Sequence, residues 1–262
     1  MDGGGEALEA ARQGWALARG RPLTLVRFID PLDAPAVAGA GPGWMHRQRE
    51  LASSMLAGAR ESLVAAGVTG AISVAVEEGD LADAVRFVTS GPERKLLTMG
   101  SGEEGEMDLG QRLPPPGVDR TTRRILEAAG CSVLVARRGP DGRSFPSAIT
   151  VGFDGSEVAA HAYEVAAAIG EESGAAVRVL ISSREKGDVR GAVQAAHPGV
   201  PIDAVEPGPP EVALLEAGTG SDLLVVGRRG VHGSRDLGSV SARVAAFSPV
   251  SVLVVHRPPA VV

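Results

Sequence analysis

The stretch LLVVGRRGVHGSRDLGSVSARVAAF, residues 223–247, decides the fold. Four apolar residues run into Gly227, a glycine-rich turn follows, and a helical pattern opens at Gly238 and Ser239. Glycine lets a backbone turn tightly and approach a ligand without a Cβ clash. A helix start adds amides without intrahelical partners and a positive dipole end, which suits a phosphate. In open α/β sheets, ligands sit beyond the carboxyl ends of the strands, at the switch between first and fourth strands. A glycine-rich turn also serves simply to link strand to helix, so the turn alone names no ligand.

Working outward, the same order of segments occurs twice. GCSVLVARRGP at residues 130–140 matches PVSVLVVHRPP at 249–259, and KLLTMG at 95–100 matches DLLVVG at 222–227. AISVAVEEG at 71–79 matches PIDAVEPG at 201–208, RPLTLVRF matches AAVRVLIS, and MDGGGEALEAA matches FDGSEVAAHAY. The chain is a tandem duplication with a Pro/Gly/Arg linker near residues 137–146.

In the second unit, β-branched runs predict strands over 148–153, 176–182, 202–205, 223–226 and 250–256. Helical patterns cover 156–173, about 188–196, 209–220 and 238–247. Ser156 is suited to an N-cap, and Pro210 sits where a first helical turn tolerates proline. Alternating strands and helices imply βαβ units with right-handed crossovers. The fold class is therefore α/β, two tandem doubly wound parallel-sheet domains spanning residues 1–140 and 147–262.

The first unit departs from the second at its start. In the second, the turn FDGS follows a full strand, ITVGF, whereas the first opens on Asp2-Gly3-Gly4, past the point where that strand belongs. The first domain is thus expected to lack its first central strand, leaving inner edges to be closed in some other way.

Composition agrees with this architecture. The 262 residues suffice for two domains of about 130. Aromatics are only 3%, so the core must be aliphatic, as in strands covered by helices on both faces. The net charge of −6, with no long basic run, argues against nucleic acid or an anionic membrane as partner. A single cysteine, Cys131, rules out an intrachain disulfide and is expected to be a buried, inert thiol at the head of CSVLVA. No leader-like amino terminus and no apolar run of about 18 residues is present, so the expected location is cytoplasmic.

The ordered set of DGS after the first strand, GRRG after the fourth, GSV opening the helix and SPVSVLVV as the last strand resembles the universal stress protein family. The family pattern is G-x2-G, nine residues, then G-[ST], and it holds the phosphates of ATP in a Rossmann-like domain. Only seven residues separate Gly230 from Gly238 here. The resemblance implies an adenine nucleotide, ATP or a relative, with Mg²⁺ accompanying ATP. It implies Asp154 at the ribose or adenine, main chain near Ile181 along the adenine, and Gly227, Gly230, Gly238, Ser239 and Val240 around the phosphates. Arg229, between the glycines, is either a phosphate-neutralising cation or a solvated surface residue. The family also implies pairing of the last strands of two domains, here within one chain as a pseudo-dimer.

The first unit has no such turn. Glu103, Glu104, Glu106 and Asp108 put four carboxylates within six residues after LLTMG, and Pro114, Pro115 and Pro116 follow. That loop repels a triphosphate and forbids a helix where the second unit has GSV. His232 is a candidate phosphorylation or proton-transfer residue, more simply an exposed loop histidine. His46 belongs on the surface of an amphipathic helix running toward Ala66. His161 and His197 share no metal-type spacing. Ser53, Ser54 and Ser239 lack a nucleophile elbow. Three functions stay open: a non-enzymatic nucleotide-responsive stress protein, an interaction protein with both sites decayed, and a slow ATPase or phosphotransferase using His232 or Ser239.

Overall fold

The computed structural model describes residues 5–31, 43–91, 95–100, 120–139, 144–183, 189–228 and 237–256. The elements run α1 (Gly5–Ala18), β1 (Leu23–Ile29), α2 (Trp44–Ala65), β2 (Ile72–Glu78), α3 (Leu81–Thr89), β3 (Leu96–Gly100), α4 (Arg120–Ala128) and β4 (Ser132–Ala136). The second half follows with β5 (Ala148–Gly152), α5 (Glu157–Ser173), β6 (Ala176–Ser183), α6 (Val189–Ala196), β7 (Ala204–Pro207), α7 (Pro210–Gly218), β8 (Leu223–Gly227), α8 (Ser239–Phe247) and β9 (Ser251–Val255). Alternation of strand and helix thus produces the expected α/β architecture.

A seven-stranded sheet has the order β3-β4-β9-β8-β5-β6-β7, all parallel neighbours except β4 and β9. The second half contributes β7-β6-β5-β8-β9, with β5 central. Successive side chains of a strand point to opposite faces. Accordingly Leu223, Val225 and Leu253 enter one core with Ile149, Val151 and Ala162. Leu224, Val226, Val252 and Val254 enter another with Val244, Leu214 and Leu126.

The antiparallel joint between β4 and β9, implied by the resemblance, pairs Val133 with Val254 and Val135 with Val252. Two serine hydroxyls mirror each other across it. Ser251 Oγ accepts from the Arg137 amide at 2.9 Å, and Ser132 Oγ accepts from the His256 amide at 3.1 Å. Strands that would be edges in separate units are therefore interior.

The first half does not complete a sheet of its own. Its β1 and β2 form a separate two-stranded parallel sheet, packed with α2 around Leu25, Leu56 and Leu63. Among the described residues no strand stands in the first half where β5 stands in the second. Instead α1 lies close on β3: a Cβ on Gly14 would overlap Thr98 Cγ2. Gln13, 2% exposed, donates to the Arg137 carbonyl at 2.8 Å and accepts from Ser251 Oγ at 2.6 Å, fixing α1 to the β4–β9 joint.

Two boundaries shift from the sequence expectation. The strand expected at 202–205 is β7 at Ala204–Pro207, because the Asp203 carboxylate accepts from the Val179 amide at 2.7 Å and replaces a ladder carbonyl. The helix expected to reach residue 220 ends at Gly218, where the amides of Gly220 and Ser221 turn back to Ala217 and Gly218. The Asp2-Gly3-Gly4 turn and the acidic, proline-bearing segment after β3 lie outside the described residues.

Candidate functional site

The crevice beyond the carboxyl ends of β5 and β8 is built from two turns. After β5, the chain passes through buried Phe153 and exposed Asp154 to Gly155, which has φ 82°. Asp154 Oδ1 accepts from the Ser156 amide at 3.0 Å, and Ser156 Oγ accepts from the Ala159 amide at 3.1 Å as the N-cap of α5. His197, at the end of α6, braces this turn: Nε2 lies 2.9 Å from the Gly155 carbonyl oxygen. Its ring also meets Phe153 edge-on at 5.4 Å. Spacing gave no hint of this role, because His197 reaches the turn only through the tertiary fold.

After β8, both ends of the glycine turn are tied to the strand end. Gly238 donates its amide to the Arg228 carbonyl at 2.9 Å, and Ser241 Oγ donates to the Gly227 carbonyl at 2.6 Å. Gly238 is the N-cap of α8, and no side chain caps that start. Ser239 is exposed, while Val240 turns its side chain toward the core, so its amide is what faces the crevice region. Gly227 is dictated by packing as well as by the turn: a Cβ there would lie 2.9 Å from Val158 Cγ1 of α5. The Ile181 side chain is 1% exposed and belongs to the core, leaving main chain as its contribution to any pocket. Arg229, Gly230 and His232 lie outside the described residues.

The arginine beside Arg229 works elsewhere. Arg228, 8% exposed, donates to the carbonyls of Ala129 at 2.5 Å and Glu127 at 2.6 Å, and its Nη1 is 3.1 Å from His256 Nδ1. It thus closes the carboxyl end of α4. Across the β4–β9 joint, Arg137 does the same for α8, donating to Ser248 at 3.0 Å, Ala246 at 2.7 Å and Ala245 at 3.1 Å. A cation at a helix carboxyl end satisfies orphan carbonyls and complements the dipole. Burial nevertheless pulls the Arg137 guanidinium down to about 10, with Glu6 opposing the shift. These crossed caps span about a hundred residues of sequence, and local pattern carries no trace of them.

The remaining candidates are peripheral. His46 pairs with Glu50 on exposed α2, and His161 pairs with Glu164 on α5. Cys131 is half-buried just before β4, not fully buried as its apolar run suggested, because β4 begins only at Ser132. Burial raises its thiol pKa. Among the described residues, no group of three or more His, Cys, Asp or Glu is placed to hold a metal. No described helix is long and apolar enough to cross a membrane. A cavity of about 360 Å³ lies at the amino-terminal ends of β5, β8 and β9, away from this crevice.

The fold defines a parallel α/β domain with a glycine-bearing connection after the fourth strand of its second half. Residues 181–256 match the Universal stress protein family. Among solved structures, the whole chain is similar to a universal stress protein from Archaeoglobus fulgidus DSM 4304, with TM-score 0.72 and 18% identity over 96% of this chain and 93% of that one. It is also similar to a protein of unknown function from Pseudomonas aeruginosa PAO1, with TM-score 0.54 and 14% identity over 91% of this chain and 94% of that one. A universal stress protein solved in complex with cAMP shares 31% identity, covering 43% of this chain and 98% of that one, with TM-score 0.34. Comparison with curated proteins finds no match. The segment 181–256 is thus of the universal stress protein family, and the rest of the chain shares the fold of such proteins.

Proposed function

We propose that this universal stress protein is a non-enzymatic regulator whose second domain, residues 147–262, binds an adenine nucleotide, ATP or a relative. In this reading the α8 start holds the phosphates and the Asp154 turn holds the ribose. The observation that carries it is the β8–α8 connection. Gly238 begins α8 with no side-chain cap, and both ends of the turn are anchored to the end of β8. The α3 and α5 starts are capped by Asp80 and Ser156, whereas α8, like α2 and α7, has no side-chain cap, and α8 is the uncapped start that follows the glycine turn after β8.

The first domain, residues 1–140, serves as pseudo-symmetric partner. At the position corresponding to Gly227, a Cβ on Gly100 would meet Glu6 at 3.1 Å, which places a carboxylate-bearing residue where phosphate charge would gather. Binding then acts by biasing one conformation or partner. Calorimetric titration with ATP, AMP and cyclic AMP, with Mg²⁺ for ATP, tests the proposal. Saturable heat that is lost in Gly238→Pro supports it. No heat up to millimolar ligand removes it.

A further inference from the structure

A single peptide group ties α6 to the turn after β5, and it is held at both ends. Its carbonyl, the Gly155 oxygen, lies 2.9 Å from His197 Nε2. Its amide, the Ser156 N–H, donates to Asp154 Oδ1 at 3.0 Å. A carbonyl only accepts, so Nε2 carries the imidazole proton in this contact. A trans peptide is planar, with carbonyl and N–H pointing in opposite directions, so fixing one end fixes the direction of the other. Hydrogen bonds in series also polarise one another, which strengthens the Ser156 amide as a donor to the carboxylate. His197 therefore acts on Asp154 through the backbone.

The histidine itself is placed with little freedom. Its amide donates to the Val193 carbonyl at 2.8 Å, at the end of α6, and its carbonyl accepts from the Val200 amide at 3.1 Å. Gln194 Nε2 donates to the Val200 carbonyl at 3.0 Å and secures the same bend. Phe153, 3% exposed, meets the imidazole edge-on at 5.4 Å, and its own amide donates to the Leu180 carbonyl at 2.9 Å. The turn that His197 reaches is softer. Gly155 has φ 82° and no Cβ to resist rotation, and a Cβ built there would rest 3.6 Å from Val193 Cγ2, an ordinary contact. The hydrogen bond from His197, more than packing, sets the direction of that carbonyl.

We propose that His197 is a positioning residue for ribose recognition. This role rests on the reading that the second domain binds an adenine nucleotide with its ribose at Asp154. A carboxylate separates a hydroxyl donor from a hydrogen atom only when its oxygens are held where the hydroxyl proton points. His197 supplies that hold from α6, through the Gly155–Ser156 peptide. The site then selects nucleotides that carry ribose hydroxyls over their deoxy analogues.

Calorimetry of the full chain with the Mg²⁺ complexes of ATP and 2′,3′-dideoxy-ATP tests this. The wild type should prefer ATP by about tenfold, the scale of one hydrogen bond to a charged group. His197→Phe keeps a ring against Phe153 and removes the donor. Its preference for ATP should fall below about twofold, while its affinity for dideoxy-ATP stays within about twofold of the wild type. His197→Gln, whose amide nitrogen can take the place of Nε2, should restore the preference. In an Asp154→Ala background, His197→Phe should leave the ratio unaltered, because the two residues act in series. If His197→Phe does not fold, His197→Asn, whose shorter amide stops short of the Gly155 carbonyl, replaces it. An unchanged preference in these variants, an equal loss of both nucleotides, or no preference in the wild type would overturn the role and leave nucleotide binding standing. No heat with either nucleotide in the wild type would remove the nucleotide reading and this role with it.

Discussion

Strands β8 and β3 hold matching places in the repeated order of segments, yet they live in different surroundings. In β8, Leu223, Leu224 and Val225 are 0% exposed and Val226 is 4%, between β5 and β9 and under α5 and α8. In β3, every residue is half-exposed, with β4 as its one strand partner among the described residues. The helix that covers β3, α1, lies against it at Gly14, where a Cβ would overlap Thr98. The difference teaches that a helix can press onto a strand without replacing the strand beside it. Burial in this fold depends on both flanking strands, and of the two only β8 has both among the described residues.

The largest expected contrast is between equivalent leucines. Leu224→Ala should cost about 2–5 kcal/mol in chemical denaturation, by loss of buried methyl groups and the cavity left behind. Leu97→Ala, at the matching position of β3, should cost less than half as much. Equal losses would break the comparison. Next come the crossed caps. Arg228→Ala strands the carbonyls of Glu127 and Ala129 at the carboxyl end of α4 and should cost about 2–4 kcal/mol, read as a lower denaturation midpoint. Gly227→Ala forces a Cβ against Val158 and should cost about 1–3 kcal/mol by overpacking. Gly100→Ala, where the neighbour is Glu6 at 3.1 Å, should cost less.

The second half was legible because its signals are local. Alternating aliphatic runs, Ser156 as N-cap, Pro210 in a first turn and Gly238 at a helix start each act within a few residues. What escaped was long-range. Asp203 moved a strand start by reaching across to Val179, and Arg137 and Arg228 capped helices in the opposite half. The bracing of the Asp154 turn by His197 depends on how α6 packs, not on spacing. In the first half, the repeat matched β1 and β2 to β6 and β7, but their standing apart as a separate sheet depends on the packing of α1 and α2 against them.

The smallest predicted effect separates the halves by pH. In the first half, Glu78 is lowered from 4.5, chiefly by its hydrogen bond with Arg49, against a desolvation effect. Asp80 is lowered from 3.8: desolvation opposes the shift, and amide bonds from Ala82 and Asp83 with the charge of Arg124 outweigh it. Both folded values lie below the unfolded ones, so their stabilisation is present above about pH 4.5 and fades as pH falls through the lowered values. Between pH 5 and 3, amides of α3 should lose hydrogen-exchange protection before those of α5, whose N-cap Ser156 does not titrate. Loss of protection at α5 first would contradict this order.

The central claim is that the ligand-bearing turn belongs to the second half. Hydrogen exchange with and without saturating Mg²⁺–ATP measures it directly. The account predicts added protection at the amides of Ser239, Val240 and Ser241 and at the Asp154 turn, with β3 and α4 unchanged. Protection appearing at Gly100 and the α4 start, or at neither turn, would contradict it.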